Sequence, residues 1–260
     1  MTNMALQKGD FIILSYNARI KETNEIFDTT DEETAKKEHL QKEGEIYEPR
    51  LVVIGENWVL KSLDEDLTSM ELNKPKTVEI TPDKAFGPRD PEKVRRVPLK
   101  QLTSKDINPR VGMRIELNGK AATIRAVGAG RVLLDYNPAL AGKTLVYEAT
   151  VQKKLEMTEE KIPALVHRRI PNLEPSKIQF IVRAKTLDVE MPEEAYYLEG
   201  IQISKRGIAM DIQRFLPEIT TVRFIETYKM EKKEPEEKEQ ISKTEQPEAE
   251  SEAEAETAAK

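Results

Sequence analysis

Between positions 16 and 147 the chain places a series of apolar, aromatic and small residues that could line one pocket. In order they are Tyr16, Phe27-Asp28, Val59-Leu60 with Leu63, Ala85-Phe86-Gly87, and Asn137-Pro138-Ala139-Leu140-Ala141-Gly142 followed by Tyr147. The set holds one carboxylate, Asp28, and no thiol, imidazole or amine. A pocket of this make-up works by binding and by excluding water. Any barrier it lowers is lowered because the transition state is held better than the ground state, with no bond made to the protein.

Bond-making chemistry finds little support elsewhere. The absence of cysteine removes disulfides, thiolate nucleophiles and zinc sites of the Cys type. The two histidines, His39 and His167, lie far apart in sequence, so neither a metal site nor a His-based triad is expected, and no cofactor is expected. Gly142-Lys143-Thr144 ends like a phosphate loop, but that motif needs Gly where the chain has Asn137. Gly128-Ala129-Gly130 starts like a dinucleotide fingerprint, but Leu133 stands where its third Gly belongs.

A chain of 260 residues has room for two or three modest domains, and with 5% aromatic and 34% charged residues their cores must be aliphatic. Met1 to Asp10 lacks a basic start followed by an apolar run. No stretch approaches the roughly 20 apolar residues of a membrane span. A soluble cytoplasmic protein with no membrane partner is expected. The net charge of −6 is uneven: residues 231–260 hold eleven Glu against five Lys, whereas residues 88–134 hold eleven Lys/Arg against four Asp/Glu, a local +7.

The elements that must position the pocket can be read from periodicity. Residues 8–20 alternate as a strand, with Phe11, Ile13 and Ser15 on one side and Ile12, Leu14 and Tyr16 on the other. Residues 31–43 are polar helix formers leading into a strand at Leu51–Ile54. Leu60, Leu63 and Leu67 have helical spacing within Trp58–Met70, and Val78–Thr81 reads as a strand. Ala85-Phe86-Gly87 has turn chemistry. Strands at Arg114–Leu117 and Ala121–Val127 are joined by Asn118-Gly119, a strong hairpin signal, and Arg131–Asp135 and Thr144–Val151 add two more. Further on, a helix is expected over 158–170 with Thr158 as cap and Glu159 and Glu160 in its first turn. A strand at Ile178–Val189, a helix over Glu193–Phe215 and a strand at Thr221–Met230 follow. The Glu/Ala/Lys tail lacks the apolar residues that would offset the entropy of ordering, so disorder is expected there.

The pocket residues, in their order and local wording, resemble the FKBP-type peptidyl-prolyl isomerases, and more closely the SlyD-like branch in which a small domain interrupts the flap. The resemblance covers roughly residues 5–157; residues 158–230 resemble the extra domain of long archaeal members more weakly. It implies an α+β fold: an antiparallel sheet wrapped on a short helix, an inserted β-rich domain and a C-terminal α+β domain. The divisions would be 1–87 with 135–157 for the isomerase, 88–134 for the insert, 158–230 for the third domain and 231–260 for a disordered acidic tail. It also implies prolyl isomerisation, with Tyr16, Phe27, Val59, Leu60, Leu63, Phe86, Leu140 and Tyr147 as walls, Leu63 on the floor, Asp28 as the lone carboxylate at the rim, and a main-chain N–H near Leu60 holding the substrate carbonyl. Three departures stand out. Phe86 replaces the usual Tyr, Leu63 replaces the Trp of many relatives, and the excursion at 31–48 is longer than the usual link. The metal-binding tail common in SlyD-like proteins is missing.

The insert would be a chaperone arm gripping unfolded or nascent polypeptides with exposed proline. Val94, Val97, Leu99 and Leu102, in a Pro-broken stretch, are the expected client-binding residues, while Ile115, Leu117, Ile124 and Val127 are expected in its core. Two rival readings remain: a holdase that binds proline segments without turnover, and a ribosome- or RNA-associated factor using the basic residues of 88–134, against which stands a plain solvated basic face. Tyr196-Tyr197 and Ile208–Leu216 are either core of the third domain or a homodimer contact.

Overall fold

A computed structural model describes residues 5–229, so the disorder expected for 231–260 lies outside the described residues. The chain forms three sheets with a few helices, the α+β class. Among the described residues no helix is long and apolar enough to cross a membrane.

Strand β1 (Phe11–Ile20) turns Ile12, Leu14, Tyr16, Ala18 and Ile20 inward on one face, as the period of two demands. It pairs antiparallel with β9 (Leu145–Leu155) along its length. Its far edge is shared by β2 (Ile26–Thr29) at one end and β3 (Arg50–Val53) at the other, and β4 (Lys76–Ile80) pairs beyond β9. Helix α2 (Lys61–Leu67) buries Leu63 and Leu67 against this face. The loop entering α2 is fixed by Asp64, whose Oδ2 accepts from the N–H groups of Gly55 and Asn57 at 2.9 and 3.1 Å. Both donors have positive φ, which Gly and Asn tolerate. The polar excursion is helical only as α1 (Glu32–Lys37), capped by Asp31, which accepts from Thr34 N–H at 2.7 Å. His39 at φ 56° ends it, earlier than the expected residue 43.

Between β4 and β9 a separate sheet is built from β5 (Val94–Pro98), β6 (Arg114–Leu117), β7 (Lys120–Gly128) and β8 (Arg131–Asp135), in the order β5-β8-β7-β6. Asn118 and Gly119, with φ 54° and 72°, make the expected tight turn. The prolines of 91–98 do not leave the stretch open. Strand β5 is an edge strand with Pro98 at its end, where no ladder bond is lost. Helix α3 (Leu99–Thr103) then folds back so that Leu102 is fully buried among Ile115, Leu117, Ile124 and Val132. Leu102 is therefore core, which corrects its assignment as an exposed client-binding residue; Val97 and Leu99 pack half-buried against the same core and Val94 is half-buried. Val127, expected inside, is exposed, as are Val111 and Met113.

Helix α4 (Thr158–Arg169) carries Glu159 and Glu160 in its first turn, but Met157 occupies the cap position and no side chain caps it, so Thr158 does not do so. The single strand expected at 178–189 is a hairpin, β10 (Gln179–Arg183) and β11 (Thr186–Glu190), turned at Ala184 with φ 51°. An alanine in left-handed backbone carries no sequence signal for a turn. The long helix expected over 193–215 is interrupted at Gly200 with φ 74°, and α5 (Ile201–Phe215) begins after it. Strand β12 (Thr221–Ile225) pairs parallel to β11.

This C-terminal lobe does not keep its core to itself. Ile162, Leu165 and Val166 of α4 and Ile208 and Ile212 of α5 are continuous with Phe11, Leu51, Val53 and Leu155 of the first sheet. Phe215 meets Phe11 and Trp58 edge-on, with ring centroids 5.6 and 5.5 Å apart.

Because Leu102 is packed and not presented to a client, Leu102→Ala should lower the stability of the β5–β8 sheet by about 2–5 kcal/mol. Hydrogen exchange should then quicken in β5–β8 and stay unchanged in β1 and β9. Unaltered exchange in the insert would show that the side chain is dispensable to its core.

Candidate functional site

A cleft of about 1050 Å3 opens on the first sheet and is lined by eight of the nine pocket residues read from the sequence: Tyr16, Phe27, Asp28, Val59, Leu60, Phe86, Leu140 and Tyr147. Leu63 is the exception. It points from α2 into the closed core with no exposed surface, and so does not form a floor that a ligand touches.

Each element delivers its residue for a local reason. Tyr16 and Tyr147 sit on the paired strands β1 and β9, with ring centroids 5.6 Å apart, and Phe27 on β2 meets Tyr147 edge-on at 6.1 Å. Val59 and Leu60 come off the loop that Asp64 holds. Phe86 and Leu140 lie on two turns tied by Gly142 N–H donating to Gly87 O at 2.8 Å, and Ser62 Oγ donates to Lys84 O at 2.8 Å, joining the first turn to α2.

The polar groups form a closed set. Tyr16 donates its hydroxyl to Asp28 Oδ2 at 2.8 Å, Arg50 donates to the Tyr16 oxygen at 2.9 Å, and Arg50 lies 3.7 Å from Asp28. Asp28 is thus not the lone carboxylate of the rim: Glu45 and Glu48, from the loop before β3, line the cleft too. Neither the Tyr147 hydroxyl nor the Leu60 N–H has a hydrogen-bond partner among the described residues. Burial first and then the Asp28 charge push the Tyr147 phenol up to about 12, partly offset by Arg50; Tyr16 is raised more strongly by the same burial and charge. Both phenols are therefore neutral donors at physiological pH.

Arg50, Trp58, Glu48, His167 and Arg168 also line the cleft and were not read from the sequence. The last two belong to α4, and only tertiary packing brings them near Trp58. Arg50 lies one residue before the strand expected at Leu51–Ile54 and begins the observed β3. Val94, Val97, Leu99 and Leu102 lie on the insert, apart from the cleft lining. Among the described residues no group of His, Asp or Glu is arranged to hold a metal ion.

Three family models match the chain: FKBP-type peptidyl-prolyl cis-trans isomerase over residues 2–103, the IF domain of FKBP26 over 95–140, and the FKBP26 C-terminal region over 158–229. The short-type peptidyl-prolyl cis-trans isomerase of Methanocaldococcus jannaschii is 31% identical over 147 residues, covering 56% of this chain and 92% of that protein. A probable FKBP-type 16 kDa peptidyl-prolyl cis-trans isomerase of Pseudomonas fluorescens is 27% identical, covering 40% and 71%. The FKBP-type isomerase SlyD of Helicobacter pylori is 28% identical, covering 46% and 66%.

The raised phenols give a pH signature. A group whose folded pKa exceeds its unfolded value, about 10 for tyrosine, adds stability that is complete below pH 10 and is lost as the pH rises through the folded value. Native-state phenolate absorbance, compared between the parent chain and Tyr147→Phe, should show the missing tyrosine ionising only near pH 12, with alkaline destabilisation weaker in the variant. Ionisation of Tyr147 near pH 10 in the folded protein would contradict the buried environment.

Proposed function

The chain belongs to the FKBP-type peptidyl-prolyl cis-trans isomerases, and on that premise we propose that it speeds proline-limited folding by taking prolyl segments of unfolded chains into the cleft around Tyr16, Phe27 and Tyr147. The observation that carries this reading is the pairing of an aromatic and aliphatic wall with two unengaged donors, the Tyr147 hydroxyl and the Leu60 N–H.

A prolyl bond turns over a barrier of about 18–20 kcal/mol, which takes tens to hundreds of seconds unaided. The barrier is the loss of amide resonance, and the twisted amide has less charge separation than the planar one. Moving the carbonyl from water into apolar surroundings therefore favours the twisted state, a difference in binding that needs no nucleophile. Phe27, Val59, Phe86 and Leu140 supply those surroundings. Leu60 N–H holds a substrate carbonyl. Tyr147 supplies the second donor. Asp28 and Arg50 act at one remove: they pin the Tyr16 ring, and so shape the wall without touching the twisting bond.

The insert adds chaperone capacity. Its exposed apolar residues are Val111, Met113 and Val127, and these, with Val94, are the surface on which a client is held near the cleft. Tethering raises the local concentration of prolyl segments, which matters for a long unfolded chain and not for a short peptide.

Refolding of a proline-limited protein with catalytic amounts of the chain tests both parts. Acceleration should vanish in the Asp28→Ala, Tyr147→Ala double variant, whereas Tyr147→Phe, losing one hydrogen bond of about 0.5–1.5 kcal/mol, should lower kcat/KM on a proline tetrapeptide roughly two- to tenfold. Replacing residues 95–134 by a two-residue turn, which joins the paired Val94 and Asp135 and keeps Asp135 with Arg89 and Asn137, should spare the tetrapeptide and depress refolding of the protein. No acceleration by the intact chain, with aggregation still suppressed, would make it a holdase.

A further inference from the structure

The cleft does not end at the aromatic rings. Its far wall belongs to the C-terminal lobe, where Arg168, Pro171 and Ile203 line the same space as Phe27 and Tyr147. At about 1050 Å3 it stands at the top of the range of about 300–1,000 Å3 that holds whole small molecules, more room than one prolyl ring fills. A polypeptide seated at the rings must run on along this wall.

The charged and polar side chains around the cleft are engaged to unequal degrees. Lys42 meets Glu45 at 3.1 Å, Arg50 is shared by Asp28 and the Tyr16 oxygen, and His167 Nε2 meets Glu48 at 2.6 Å. Arg169 takes both oxygens of Asp211, at 2.7 and 2.9 Å. Gly207 makes room for that pair, since a Cβ there would stand 3.1 Å from the Arg169 guanidinium. Arg168 is held most weakly, by one long ion-pair contact and a ring. Its side chain is only 28% exposed, its nearest carboxylate oxygen, on the already occupied Asp211, is 3.7 Å away, and its guanidinium sits 3.6 Å from the centre of the Trp58 ring. Among the described residues nothing accepts a hydrogen bond from it. A guanidinium has five donors in a planar fork suited to a carboxylate. Burial, and then the charge of Arg169, work against its protonated form, only partly offset by Asp211, and an incoming anion would counter the Arg169 charge.

We propose that the client chain runs from the prolyl pocket onto the C-terminal lobe, and that Arg168, resting on Trp58, receives a side-chain carboxylate of the client segment flanking the prolyl bond. Pro171 and Ile203, which line the same cleft, are apolar surface for the same segment. The subsite rests on the isomerase reading of the cleft, and it makes the third lobe part of substrate selection.

Trp58 is the chain's single tryptophan, so its emission reports directly on the subsite. The test uses the full chain and single-proline peptides, acetylated and amidated so that the only carboxylate is a side chain, carrying Glu or Gln at successive positions two to five residues to either side of proline. For at least one position the Glu peptide should bind about five- to tenfold more tightly than its Gln twin. The difference should lie in KM and not kcat, fade with added salt, and accompany a change in Trp58 emission. Arg168→Gln should equalise the pair, and Arg168→Lys, keeping the charge but losing the fork, should restore part of the preference. Equal affinity of Glu and Gln peptides at every position in the parent chain would overturn the subsite without any variant, as would a preference that survives Arg168→Gln. Because affinity is read apart from turnover, a preference found without isomerisation would support the subsite while refuting the isomerase reading.

Discussion

Strand β1 has to serve two cores at once, and the rest of the molecule is arranged around that constraint. Its even face, Ile12, Leu14, Tyr16, Ala18 and Ile20, closes the isomerase core, while Phe11 and Ile13 on the other face seat the C-terminal lobe. With a side-chain period of two, a slip of one residue would exchange the faces and put Ser15 or Asn17 where Tyr16 must stand. Pairing with β9 over the whole of β1 removes that freedom, and β3 repeats the division, with Val52 turned to one core and Leu51 and Val53 to the other. The same alternation that places Tyr16 in the cleft therefore places the α4–α5 lobe beside it.

The insert hangs from a neck that is polar where the lobes are apolar. Asp135, almost fully buried, accepts from Arg89 at 2.7 Å, from Arg125 at 3.0 Å and from both the backbone and the side-chain amide of Asn137. Burial would raise its pKa, but the hydrogen bonds from Asn137 and Arg125 and the Arg89 charge outweigh it and hold the carboxylate below the usual range. Asn137 also exchanges hydrogen bonds with the Asp90 backbone across the neck. A buried charge with every oxygen used is costly to disturb, so the neck fixes the direction in which the insert leaves. It lies between the turn bearing Phe86 and the segment bearing Leu140, which makes the roof of the cleft and the root of the insert one piece of structure.

What could be read in advance followed the range over which each signal acts. Alternation in β1, Asn118-Gly119 in the insert hairpin and helical spacing at Leu63 and Leu67 are local, and the elements they mark are present. Eight of nine pocket residues fall together because they sit on such elements. Leu63 and Leu102 were misplaced because an apolar side chain on a short helix says nothing of which side the helix buries. Ala184 turns a hairpin without glycine or asparagine, so the strand looked continuous. Arg50 and Arg168 could not be read at all: a surface arginine and a cleft arginine have the same local sequence, and what distinguishes them is which carboxylates have already been taken.

That last distinction also explains the chemistry of the cleft. Its acceptors are consumed internally, Asp28 by Tyr16 and Arg50, Glu48 by His167 and Asp211 by Arg169. What stays unengaged is a row of donors: Leu60 N–H, the Tyr147 hydroxyl and, beyond Trp58, Arg168. An extended polypeptide offers the complement, since its carbonyls are acceptors and proline lacks the N–H that would need an acceptor in return. On the proposed reading, a cleft that offers donors and is walled by aromatic and aliphatic side chains favours prolyl segments twice, by the ring it can cover and by the hydrogen bond it does not have to provide.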